Sequence, residues 1–186
     1  MISGCKLGLI LALLIACQSR VCRSDEFTVE TWKTTKLSGV FFSEGADVGD
    51  FNRDGKMDVV SGPFWFEAPD FTKRHVLYPP KPFDPHRYSD NFFAYTEDFN
   101  HDGWTDVLII GFPGKDASWF ESPQGKERFW PRHTVLSVVD NESPRFVDLT
   151  GNGKREIVCS VVGYFCFAAP NRADYLRGRG PPLPPA

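Results

Sequence analysis

An all-β chain of short antiparallel strands is what this sequence predicts, and three observations predict it. Aromatic residues make up 15% of the 186 residues, and Gly (16) and Pro (15) are plentiful. That composition suits pleated strands joined by turns. An acidic motif recurs at near-constant spacing. Each copy is followed by an apolar, strand-like run, with no long Ala, Glu and Lys stretch offering a competing helix.

The repeat organises the chain. Asp50-Phe51-Asn52-Arg53-Asp54-Gly55-Lys56-Met57-Asp58 returns as Asp98-Phe99-Asn100-His101-Asp102-Gly103-Trp104-Thr105-Asp106. A weaker copy is Asp148-Leu149-Thr150-Gly151-Asn152-Gly153-Lys154-Arg155-Glu156. The starts lie 48 and then 50 residues apart. Apolar runs follow: Val59-Val60, Val107-Leu108-Ile109-Ile110 and Ile157-Val158-Cys159. Then come Trp65-Phe66-Glu67-Ala68-Pro69 and Trp119-Phe120-Glu121-Ser122-Pro123, with Cys166-Phe167-Ala168-Ala169-Pro170 read as a degraded third copy. Arg74-His75-Val76 and Arg132-His133-Thr134-Val135 close the first two units, and the third has no such element. Recurrence of His75 and His133 within a repeat points to packing rather than catalysis.

One unit therefore reads strand, acidic loop, strand, aromatic strand, Pro turn, strand. Four antiparallel strands per roughly 50 residues is the arithmetic of a β-propeller blade. A β-sandwich would leave a loop at one fixed place in every unit unexplained. Over about residues 44–170 the repeats resemble the FG-GAP/VCBS family of calcium-loop blades, of the bacterial secreted type, also found in integrin-α-like propellers. The resemblance implies an incomplete ring of about three blades, since propellers use about four to eight. A leading outer strand is expected within 25–43 and a disordered tail over 171–186. Apolar surface is expected to lie open around Val158, Val161 and Phe165 of the third blade.

The acidic loops carry the chemistry. Oxygen side chains stand at positions 1, 3, 5 and 9: Asp50, Asn52, Asp54 and Asp58, then Asp98, Asn100, Asp102 and Asp106. Alternate residues of a tight loop can point inward, and Gly at position 6 permits the turn. Hard oxygen ligands in a flexible loop suit Ca2+, whereas Mg2+ keeps more water. An EF-hand is excluded because position 12 is Ser61 or Ile109 rather than a bidentate Glu. In the third loop Asp148, Asn152 and Glu156 remain as candidate ligands, with Thr150 at position 3. The metal's expected role is structural, all its ligands coming from the protein.

Strand direction puts the other loops on the opposite face. Asp90-Asn91 and Asp140-Asn141 each stand eight residues before an acidic loop and mark a candidate ligand face. The partner expected there is an extracellular protein or a carbohydrate. A net charge of −3 without a basic patch argues against nucleic acid.

The N-terminus reads as an export signal over 1–24. Lys6 precedes an apolar run, Leu7 to Ala16, too short to span a bilayer but suited to a signal peptide. Leu14-Ile15-Ala16-Cys17 resembles a lipobox, which would make a lipid anchor at Cys17 the one link to a membrane; cleavage near Ser24 is the alternative. Both readings export the chain. Cys159 and Cys166 fall in neighbouring strands and read as free thiols, with a bridge left open. No nucleophile triad or phosphate loop is present. The leading functional reading is an exported calcium-binding propeller module for binding or scaffolding. Its rivals are a fragment of a polysaccharide-acting propeller enzyme and a truncated remnant.

Overall fold

Aromatic and β-branched runs punctuated by Gly and Pro become eleven short strands in the computed structural model, which describes residues 32–169. The expected export segment, Cys17 and the tail lie outside the described residues. The strands belong to one compact unit that begins at Thr35. Among the described residues there is no helix.

The strands form three antiparallel sheets, each a meander in which neighbours in sequence pair. Sheet 1 holds β1 (Ala46–Gly49), β2 (Asp58–Ser61), β3 (Phe64–Phe66) and β4 (Arg74–Val76). Sheet 2 holds β5 (Phe93–Glu97), β6 (Asp106–Ile110), β7 (Lys115–Phe120) and β8 (Arg132–Val139). Sheet 3 holds β9 (Arg145–Val147), β10 (Glu156–Val161) and β11 (Tyr164–Ala168). In every sheet the acidic loop joins the first strand to the second.

Burial explains the strand sequences. All five residues of β6 are buried. Val107 and Ile109 pack with Val60, Trp65 and Leu77 of sheet 1 and its edge, while Leu108 and Ile110 pack with Ile157, Cys159 and Val161 of sheet 3. A strand covered on both faces reads as an unbroken apolar run. Phe51 and Trp130 complete the first core, and Phe99, Trp119 and Leu136 complete the second. Polar ties join the first strands: Asp47 Oδ2 on β1 accepts the N–H (2.7 Å) and hydroxyl (3.0 Å) of Thr96 on β5. Arg155 of the third loop donates to Glu97 on β5 at 2.6 Å.

Three expectations need correction. The leading strand is absent from its described part: residues 32–45 carry no strand. Their backbone bonds go to the β4–β5 connection instead. The N–H groups of Glu44 and Gly45 both donate to the Asn91 carbonyl (3.2 Å each), and Phe41 O accepts Phe83 N–H at 2.9 Å. Second, strand pairing moves the third aromatic copy by one residue. Val60 faces Trp65 and Leu108 faces Trp119, and two residues after the position-9 acid Val158 faces Phe167. Phe167, not Cys166, thus holds the Trp position. Third, Val161 is buried against sheet 2, whereas Phe165 lies open as expected and Phe167 joins it on the exposed surface of sheet 3.

Candidate metal-binding loops

The three acidic loops share one backbone geometry. The carboxylate at position 1 caps the turn: Asp50 accepts the N–H groups of Asp54 (3.0 Å) and Gly55 (2.9 Å). Asp98 accepts those of Asp102 (3.0 Å) and Gly103 (2.8 Å), and Asp148 those of Asn152 (3.1 Å) and Gly153 (2.8 Å). Position 5 accepts the N–H of position 7, at 2.9 Å in Asp54 to Lys56, 2.9 Å in Asp102 to Trp104 and 2.8 Å in Asn152 to Lys154. Position 6 is left-handed in each loop, with φ of 83°, 85° and 81° at Gly55, Gly103 and Gly153. A Cβ at Gly55 or Gly153 would meet nothing, so the φ rather than crowding calls for glycine there. Position 4 is left-handed too, at Arg53, His101 and Gly151.

The acid at position 9 is buried and braces the loop from beneath. Asp58 accepts the N–H of Phe51 (3.1 Å) and of Ala68 (2.8 Å). Asp106 accepts those of Phe99 (3.0 Å) and Ser122 (2.8 Å). Each thereby clips the acidic loop to the turn after the aromatic strand. Glu156, longer by a methylene, takes Leu149 N–H (2.8 Å) with one oxygen and turns the other to the Thr150 hydroxyl (3.2 Å). Burial pushes the Asp58 carboxyl up and that of Asp106 up to about 7. The paired N–H donors oppose this, and the other loop carboxylates add to it.

Positions 1 and 3 converge. Asp54 N–H is shared by Asp50 Oδ1 (3.0 Å) and Asn52 Oδ1 (3.1 Å), and Asp102 N–H by Asp98 Oδ1 and Asn100 Oδ1 (3.0 Å each). Position 5 has a side-chain partner in both full loops. Lys56 Nζ lies 3.0 Å from Asp54 and, as the leading cause, holds its carboxyl below the usual range. Gln124 donates to Asp102 at 2.9 Å. Among the described residues no three His, Cys, Asp or Glu side chains are grouped as a metal cluster. What fits a hard cation is the all-oxygen donor set and the convergence of positions 1 and 3.

Residues 98–159 match the family model of the FG-GAP-like repeat. The matched stretch begins at position 1 of the second acidic loop and ends within β10, so it holds the second and third loops. The first loop lies outside that stretch and has the same geometry. No curated protein and no solved structure matches the chain.

Outside its loops, the repeated unit recurs in a stacked pair. His75 lies parallel to Trp65, with ring centroids 3.9 Å apart, and His133 to Trp119 at 4.3 Å. Each His meets the Glu of the aromatic motif, Glu67 at 3.0 Å and Glu121 at 2.8 Å. The histidines are packing residues, as their recurrence implied. Their Glu partners recur two residues after each Trp, a signal as regular as that of the histidines.

The opposite-face residues separate. Asp90 and Asn91 line a cleft between sheets 1 and 2. Asp140 accepts the N–H of Val162, and Asn141 Oδ1 that of Ser160 (2.8 Å), so both hold the β10–β11 hairpin. Cys159 and Cys166 are directly opposed free thiols with sulfurs 3.8 Å apart.

Proposed function

We propose that this chain is an exported calcium-binding β-propeller module that binds an extracellular protein or carbohydrate, or scaffolds one. The observation that carries the reading is one loop geometry repeated at the same place in three successive sheets. Two four-stranded meanders and a three-stranded one, with β1 tied to β5, support the propeller architecture. The donor sets Asp50, Asn52, Asp54, Asp58 and Asp98, Asn100, Asp102, Asp106 would hold the ion and place hard oxygen around it. Asp148, Asn152 and Glu156 would form a weaker third site. Bound calcium offsets carboxylate repulsion and cross-links the first two strands of each blade. The Leu7–Ala16 run supports export.

Calorimetric titration of calcium into chelator-treated protein tests the reading. Two strong sites are expected, and Asp54→Ala and Asp102→Ala each remove one. A melting temperature indifferent to both calcium and chelator overturns it.

A further inference from the structure

We propose that the cleft between sheets 1 and 2 is a binding site for a small ring-bodied monocarboxylate. It encloses about 450 Å³, on the face away from the acidic loops. That is within the roughly 300–1,000 Å³ of small-molecule sites. The proposal deepens the binding half of the reading above and rests on that half alone. It needs no metal.

The repeat itself singles the cleft out. Asn91 and Asn141 occupy the same place in successive units. Asn141 Oδ1 is used up on the Ser160 N–H. Asn91 is 4% exposed, donates from Nδ2 to the Tyr78 hydroxyl at 3.2 Å, and leaves Oδ1 without a hydrogen-bond partner among the described residues. A buried amide oxygen left unpaired is costly. Asp140 likewise takes a backbone N–H, whereas Asp90 stands at the cleft with Lys81 Nζ at 3.1 Å. Positions that close the backbone in sheet 3 thus line a cavity in sheet 2.

The lining sets the ligand's chemistry. Tyr78, Phe83 and Phe120 supply aromatic surface for a ring. Tyr78 packs on Phe120 at 4.9 Å between ring centroids. Its hydroxyl accepts from Asn91 and keeps its own proton to donate. Burial pushes that phenol up to about 12, so it is a neutral donor at ordinary pH. Three cations line the cleft: Lys81 pairs with Asp90 and Arg132 with Asp116. That leaves Lys115 with no ion-pair partner among the described residues. Its side chain lies over Gly111, where a Cβ would stand 2.5 Å from Lys115 Cβ. One unmatched cation beside a phenol donor and aromatic walls selects one carboxylate on a ring. An acidic sugar and an aromatic acid share that chemistry.

Isothermal titration of the full chain with D-glucuronate and with phenylacetate tests it, against the neutral counterparts D-glucose and phenylacetamide. At least one acid should bind saturably at one site, about tenfold or more tighter than its counterpart. Lys115→Met, at an exposed side chain, should keep the melting temperature and erase that preference. Binding by glucuronate alone identifies an acidic sugar, by phenylacetate alone an aromatic acid, and by both the shared chemistry. Titrations in calcium and in chelator keep this separate from the metal reading, because cleft binding should persist in chelator. No saturable binding by either acid, equal binding of the neutral counterparts, or a preference that survives Lys115→Met overturns the proposal.

Discussion

Sheets 2 and 3 are two copies of one unit with different fates. In sheet 2, Trp119 is 3% exposed, stacked on His133 and packed with Phe99. In sheet 3, Phe167 holds the same register position and is 55% exposed, with Phe165 beside it at 86%. Yet the acidic loops of the two sheets bend alike, left-handed at positions 4 and 6 and capped by position 1. Loop shape follows the Asp cap and the glycine. Burial of the aromatic strand follows what lies on either side of its sheet.

The sharpest way to break the comparison is to truncate the two aromatics. Trp119→Ala is expected to cost about 3–5 kcal/mol in urea denaturation, as large core deletions do. Phe167→Ala should cost under about 1 kcal/mol, like other surface changes. Equal losses would mean that sheet 3 is covered as sheet 2 is.

Calcium comes next. At a hundredfold excess over Kd, each occupied site should add about 2.7 kcal/mol to unfolding. Because the third loop keeps the shared geometry, Asn152→Asp should give a third calorimetric site of comparable strength. Failure of that variant, with the first two sites intact, would show that Thr150 and Glu156 also matter.

A smaller effect is expected at the β10–β11 turn. Val162 has a φ of 49°, which a β-branched residue adopts at a cost. Val162→Gly should stabilise the chain by roughly 1 kcal/mol, about the cost of the left-handed backbone. The same turn in sheet 1 already has Gly62 in the left-handed position, with a φ of 60°.

The smallest effect near neutrality concerns Tyr78. Its folded pKa is about 12, above the ordinary 10.0, because burial disfavours the phenolate. A raised pKa means stability fully present below pH 10 and lost as pH rises through about 12. Burial also raises Tyr95, so ultraviolet titration should find late-ionising tyrosines, one of which is lost in Tyr78→Phe, and the variant's stability should fall less over that window.

The sequence by itself determined the repeat, the strand order and the acidic loops. Those features are local: Asp, Asn and Gly at fixed offsets bend a loop wherever it sits, and an apolar run pairs with its nearest neighbour. It also marked His75 and His133 as packing residues, because recurrence in a repeat reports a shared neighbourhood. Only the tertiary structure decided the rest. Phe41, Glu44 and Gly45 place their backbone bonds on Phe83 and Asn91, partners about 40 to 50 residues away. The place of Phe167 at the Trp position depends on the register of β10 against β11, which the Cys-Phe spelling could not reveal. Asp90 and Asn91 match Asp140 and Asn141 in sequence and differ in fate, because one pair meets a backbone N–H in the next hairpin and the other a cleft between two sheets.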